Sequence, residues 1–545
     1  METTTKADGS VPVYDDALSA DEVQLRAQGH VGELPRQFST FATVAFAFTL
    51  TNSWTGWSGT FGTPLIAGGG PAVFFGLVVS AVACTFITLG LAELASAFPS
   101  TGGQYHFAFM VSSPKYRTVV AFYAGWLSVF AWTMTAASVP IIVGQFIQNL
   151  AQLYHPDYVA ARWQTWLIYT VLTILFCAVV ILLPKLIPKL EMGFFVLTLL
   201  GFVISFITIL ATSHPKQSAK TVFVDYTNLT GWADGTAFML GVGTSMYAFL
   251  ATDGATHLAE EMPNPGKGVP RAMWLTMIIG CFTATCWTFA FMFASTDLDA
   301  AASSVVPILT VYLQAFRSRG VATFFLSWLA IIYSTSGVTC FVTAGRLTWA
   351  FARDGGLPFS KTFAYTHPIL QVPANATILV GIFTILYGLI YIGSTTAFNS
   401  FISMAILGLN ITYAIPQGIV LLRGRSKVLP ARQFDLGPIF GPFCNAFSVL
   451  WVLLYSVLFC FPIILPATVD NMNYLSVVLA GVLVIILAMW YGGKRKTFTG
   501  PVISIEGLEM LSAANLGANR TGYRDDTAMA TKEVAPNTSV PAAAE

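Results

Sequence analysis

The stretch ATDGATHLAEEMPNPGKGVPRA, residues 251–272, puts a carboxylate where the chain can least accommodate one. Residues 232–252 are almost uncharged, and Asp253 arrives before that apolar segment ends. At the centre of a membrane helix a charged side chain costs roughly 2.5–3.5 kcal/mol on insertion scales, so Asp253 needs a purpose. Two readings stand. Asp253 caps the helical segment that follows, accepting the N–H of Ala255 or Thr256, or it binds a ligand amine or carries a proton. Glu260 and Glu261 come where MPNPGKGVP stops the helix with three prolines, and are expected to pair with Lys267, Arg271 or other bases on the same side. Glu93, in LAELASAF, lies one step deeper and is open between a structural pairing and proton coupling. His30, His106, His155, His214, His257 and His367 are scattered, with no HExxH or Cys/His spacing. Neither a metal, a cofactor nor hydrolytic chemistry is expected from them.

The elements that hold these groups follow from composition. The chain is 55% hydrophobic and 10% charged, against about 25% charged in soluble domains, so most of its surface must face lipid. A net charge of +1 argues against a nucleic-acid partner. Apolar runs of about 20 residues predict twelve spans, at 40–67, 72–98, 118–150, 163–183, 190–211, 233–260, 273–294, 320–350, 375–391, 397–422, 445–465 and 474–491. With the N-terminus inside, 22 of the 27 lysines and arginines fall on cytosolic segments; Arg162, Lys216, Lys220, Arg317 and Arg319 fall on outer loops. The prediction is a membrane domain over 39–491, a cytosolic tail over 1–38, and a cytosolic, disordered tail over 492–545. None of the seven cysteines falls on an outer loop, so no extracellular disulfide framework is expected.

Two spans carry interruptions. Span one crowds Asn52, Ser53, Thr55, Gly56, Ser58 and Gly59 at its centre; span six has Gly241, Gly243, Thr244 and Ser245 before Asp253-Gly254. Glycine lowers helix propensity by about 1 kcal/mol relative to alanine, and Ser/Thr hydroxyls compete for backbone groups. Such breaks at matching positions of two halves point to an inverted-repeat transporter; close helix packing is the alternative use of small residues.

Four motifs carry a family resemblance: LAELASAFPSTGGQYHF, DGATHLAEEMPNPGKGVPRAM, GRLTWAFARDGGLP and ILPATVDNMNYLSVV. The chain resembles the fungal amino-acid/choline (GABA/choline permease-like) transporters of the amino acid–polyamine–organocation superfamily, colinearly from Glu33 to Tyr491. The resemblance implies an all-α polytopic protein of twelve transmembrane helices. Its core would be a five-plus-five inverted repeat of the LeuT type with helices one and six broken, followed by two extra helices. It also implies secondary active import, usually proton-driven, at the plasma membrane. The breaks then map to 55–58 and 247–251. The implied substrate site is Trp54, Thr55, Gly56, Trp57 and Ser58 of span one, Tyr247, Ala248, Phe249 and Asp253 of span six, and Tyr333 of span eight.

Half-helix amides at such breaks suit a carboxylate. Aromatic faces suit an ammonium, by about 0.5–2 kcal/mol. Choline, 4-aminobutyrate, another amino acid or a secondary-metabolite amine all fit, moved inward or outward, and a uniporter or channel-like facilitator is the other alternative. Coupling candidates are Asp253 and Glu93 for a proton, the expected ion, and Ser334 and Thr335, with Ser336 beside them, for sodium. Some bacterial relatives carry a lysine in span five; EMGFFVLTLLGFVISFITILA has no basic residue, so their coupling does not transfer.

Overall fold

The computed structural model describes residues 34–501 except Asp470. Most of the N-terminal tail and residues 502–545 lie outside the described residues. Among the described residues the chain is helical, without strands. Lipid offers the backbone no hydrogen bonds, and a helix satisfies its own.

Among the described residues ten helices are long and apolar enough to cross a membrane. Two further apolar segments are broken. The first consists of α1 (Thr40–Thr51) and α2 (Ser53–Thr60), which leads into α3 (Gly62–Ala97). There follow α4 (Gln104–Val111), α5 (Arg117–Tyr154), α6 (Arg162–Leu182) and α7 (Ile187–Thr212). The second broken segment opens with α8 (Asp234–Ser245) and continues as 3-10 turns over Met246–Phe249 and Gly254–Glu261. The remaining long elements are α9 (Pro265–Ala294), α10 (Pro307–Phe316), α11 (Arg319–Arg353), α12 (Ala374–Gly393), α13 (Thr395–Arg423), α14 (Gly437–Leu458) and α15 (Leu475–Met489).

Burial separates centre from rim. The apolar windows of α5 and α11 are 89% and 78% buried, whereas those of α6 and α15 are 28% and 22% buried. The rim helices turn large apolar side chains such as Leu175, Ile207, Leu450 and Val484 outward, as a lipid-facing surface requires.

The first break differs in position from the mapping above, and the second overlaps it. The first is at Asn52, in the left-handed region at φ 37°, ψ 56°. Thr55, Gly56, Trp57 and Ser58 are regular helix, with the Ser58 hydroxyl donating to the Trp54 carbonyl. Asparagine tolerates the left-handed conformation better than most L residues, so the break settles there rather than at the glycine. The second lies at 250–253, where Leu250 is extended (ψ 154°) and Ala251 has φ 67°. Tyr247, Ala248 and Phe249 form the turn before it. A third bend lies inside α3, where Gly69 has φ 64° just before Pro71.

The chain stays packed beyond 491. Phe498 is buried against Phe122 and Phe351, and the Lys494 ammonium donates to the Gly355 and Leu357 carbonyls at 2.7 and 2.5 Å.

Candidate substrate site

The two breaks face a cavity in two chambers with Tyr247 between them. The larger, about 480 Å³, is lined by Thr60 and Thr63, by Ile142 and Gln145 of α5, by Thr244, by Asn399 and Ser403, and by Tyr455 and Phe459 of α14. The smaller, about 30 Å³, has room for one water. Its walls are Thr51, Asn52, Thr55, Gly56, Thr135, Ser138, Leu250, Ala251, Tyr333, Ser336 and Cys340. Tyr247 lines both. Its hydroxyl lies 2.7 Å from the Ser138 hydroxyl and accepts from the Tyr333 hydroxyl at 3.2 Å, so α5, α11 and the span-six turn close on one another there. Neither chamber is lined by Asp, Glu, Lys, Arg or His among the described residues. Asn52 donates to the Ser336 hydroxyl (3.1 Å), and Ser336 donates to the Thr49 carbonyl (2.7 Å), tying α11 to the first break. Asn52 Oδ1 and Thr51 Oγ1 are buried with no hydrogen-bond partner and are free to meet a ligand.

Beyond the smaller chamber the protein is closed by buried charge. Asp253 is 0% exposed. Its side chain makes no N-cap bond. The capping expectation is therefore corrected: the carboxylate bonds none of the backbone N–H groups of the Gly254–Glu261 turn and meets side chains instead, three of them from other helices. It accepts from Gln104 Nε2 at 2.6 Å, from Trp132 Nε1 at 3.2 Å and from the Tyr413 hydroxyl. His257 Nε2 stands 3.1 Å away, while His257 Nδ1 faces the Thr101 carbonyl at 2.8 Å. Both ring nitrogens thus have an oxygen within hydrogen-bond distance. Gly254 follows from close approach, because a Cβ there would lie 1.9 Å from Leu50 Cδ2 of α1.

Glu260 is held by both Arg353 terminal nitrogens at 2.9 and 3.0 Å, and Glu261 by Arg346 and Gln37. The two arginines lie on α11, in GRLTWAFAR, and Gln37 just ahead of α1; Lys267 and Arg271, the bases named from the sequence, are exposed. Glu93 accepts from Arg425 (2.6 Å), Arg432 Nε (2.8 Å) and the Leu436 N–H (3.1 Å). The Gly437 N–H and the neighbouring Arg432 hold Asp435, on the same surface loop, below the usual carboxylate range.

A cavity at paired helix breaks, closed on one side by ion pairs, fits what sequence comparison finds. The profile of the family described as amino acid permease matches residues 38–486. This chain belongs to the amino acid permease family. A choline transporter of Saccharomyces cerevisiae is 33% identical over 90% of this chain and 87% of its own length. A swainsonine transporter of Arthroderma benhamiae is 28% identical over 85% of this chain and 92% of its own. An amino-acid permease of Arabidopsis thaliana is 27% identical over 91% and 98%. The protein is a membrane transporter of amino acids or amines, not an enzyme.

In this permease Thr55, Gly56, Tyr247 and Tyr333 line the chambers. Trp54 packs edge-to-face on Trp287 and Phe202, Trp57 is fully buried beside Phe61, and Ser58 accepts from the Trp287 indole at 2.7 Å. Ala248 and Phe249 are buried in the 3-10 turn. These five, like Asp253, line neither chamber. The Ser334 and Thr335 hydroxyls donate to carbonyls of their own helix, Ala330 and Ile332, and Ser336 is the hydroxyl of YSTSG that reaches span one. Sequence reasoning missed the lining by Ser138 and Thr135 of α5, and Asn52 as a ligand-facing residue. A lone asparagine at the centre of an apolar span was the available signal.

Proposed function

We propose that this permease imports a small organic amine of the choline class, driven by the proton gradient across the plasma membrane. The proposed frame is twelve spans, the ten long helices plus the two broken segments, forming a five-plus-five inverted repeat with two additional helices. Both termini are placed in the cytosol by the distribution of Lys and Arg. On that topology the 480 Å³ chamber opens outward and the ion-pair layer closes the cytosolic side. Asp253 and Glu93 are assigned to that layer.

The observation that carries the substrate reading is a lining without ionisable carboxylates or bases, to which Tyr247, Tyr455 and Phe459 contribute aromatic side chains in the larger chamber. A quaternary ammonium has no N–H to donate and is held by aromatic faces. The name of the Saccharomyces cerevisiae relative supports the same class. An amino acid such as 4-aminobutyrate is the second reading, supported by the interrupted backbone at Asn52 and at 250–253, where amides can meet a carboxylate. The test is labelled-choline uptake in cells lacking their own choline carrier. Accumulation above the outside concentration, abolished by a protonophore, is expected. Equilibration without accumulation would make the protein a facilitator, and absence of choline uptake would return the site to amino acids.

A further inference from the structure

Five carboxyl groups are buried among the described residues: Glu93, Glu191, Asp253, Glu260 and Glu261. Four have matched partners, arginines for the three glutamates at 93, 260 and 261 and four side-chain groups for Asp253. Glu191, in the first turns of α7 and 0% exposed, is different. Its hydrogen-bond partner is the Thr339 hydroxyl of α11, 2.9 and 3.1 Å from its two oxygens. That same hydroxyl lies 3.0 Å from the Thr335 carbonyl oxygen.

A hydroxyl has one proton to donate. With Glu191 ionised, three acceptor oxygens surround that one proton, and a buried charge is left without a cation, which is strongly unfavourable. With Glu191 protonated the count closes. Its O–H donates to Thr339 Oγ1, and Thr339 donates to the Thr335 carbonyl.

The charged surroundings agree. Arg346 and the Cys340 thiol, both on α11, are the titratable groups in electrostatic reach of Glu191. Arg346 is committed to Glu261 on both of that carboxylate's oxygens. Among the other elements packed on α7, α1 has no titratable side chain and α10 has only Tyr312. α9 has Cys281 and Cys286 besides Lys267 and Arg271, which are exposed like Lys185 and Lys189. Thr339 stands one residue from Cys340 and three from Ser336, both walls of the smaller chamber.

We infer that Glu191 is the proton-carrying group of this permease, protonated while Arg346 is held by Glu261 and ionised when that pair opens. The inference rests on the proton-driven reading above. Opening of the ion-pair layer frees Arg346, which becomes the cation that Glu191 lacks. Glu191 then releases its one proton to the cytosolic side and rebinds one from the outer side when the pair reforms.

Glu191→Gln keeps the shape of the protonated acid, and its amide can donate to Thr339 in the same way. Full-length protein in liposomes is loaded with choline and assayed twice, for accumulation under an imposed pH gradient and for exchange at equal pH. Wild type is expected to accumulate choline and to exchange it at a pH-dependent rate. Glu191→Gln is expected to keep exchange, now independent of pH, and to lose accumulation to the level of empty liposomes. Accumulation and pH dependence like wild type in Glu191→Gln overturn the assignment. Should Glu191→Gln be inactive in both assays, Thr339→Val decides: a shifted pH midpoint of wild-type-like accumulation supports the assignment, and an unmoved one overturns it. Wild type that exchanges choline but never accumulates it removes proton coupling itself, an outcome visible before any substitution.

Discussion

Tyr247 is where the two chambers meet, and its two halves do different things. The hydroxyl bonds Ser138 and Tyr333, and the side chain lines both spaces. Tyr247→Phe removes hydrogen bonds worth about 0.5–1.5 kcal/mol each but keeps the π face. Apparent affinity for choline should then stay within a few-fold while turnover changes. Tyr247→Leu removes the face, worth about 1–2 kcal/mol, so competition assays should show affinity falling roughly tenfold. Asp253→Asn has a different expectation from that of a cap, for which asparagine would serve nearly as well. Here the Asn Oδ1 can keep the position facing Gln104, Trp132 and His257, which turns its N–H groups toward the Tyr413 hydroxyl; the bonds lose their charge and the Tyr413 proton loses its acceptor, at about 1–3 kcal/mol for the unsatisfied group. A lowered melting temperature in detergent and loss of uptake are expected; a wild-type melt with normal uptake would restore the cap. That Asp253 matters was legible in the sequence from its depth alone. Three of its partners were not, because they come from α4, α5 and α13, more than a hundred residues away in sequence; His257, four residues on, is the local one.

The broken segments work by close approach and paired charge. Gly254→Ala drives a methyl against Leu50, an overpacking cost of about 1–3 kcal/mol, and Leu50→Ala should restore part of the lost stability and uptake in the double variant. Additive losses instead would put the strain elsewhere. The ion-pair layer predicts that Arg346→Gln strands Glu261, at about 3–5 kcal/mol for a broken buried pair. The closed side should then open more often. Cys340, 2% exposed on the smaller chamber, is the reporter. Mass spectrometry should find it unmodified in wild type and labelled in Arg346→Gln when a polar thiol reagent is applied from the cytosolic face of vesicles. Unchanged protection would mean the pair does not hold the closure. The existence of both breaks was legible from clustered Gly, Ser and Asn. The position of the first was not, since Asn52 takes the left-handed turn while Gly56 stays helical; the second, with Ala251 at φ 67°, falls at the end of the mapped 247–251. The arginines facing Glu260 and Glu261 were hidden for a similar reason, because proximity in sequence favoured Lys267 and Arg271.

Across the whole molecule, apolar run length located the membrane helices well, and the two runs without a single long helix, 40–67 and 233–260, are the two that are broken. Edges slipped where prolines sit in a first turn: α14 begins at Gly437, ahead of the expected 445, through GPIFGPF. The aromatics were the least legible part of the site. Both tryptophans of span one pack into the body, and the cavity is faced by tyrosines and hydroxyls from helices distant in sequence. The central claim is that this uncharged lining recognises a cation through π faces. It is tested most directly by competing labelled-choline uptake with 3,3-dimethylbutanol, the neutral isostere of choline, and with 4-aminobutyrate. The account predicts that unlabelled choline competes at least about tenfold better than the neutral isostere, the scale of a desolvated cation–π contact, and that 4-aminobutyrate does not compete. Equal competition by choline and its neutral isostere, or displacement by 4-aminobutyrate, would contradict it.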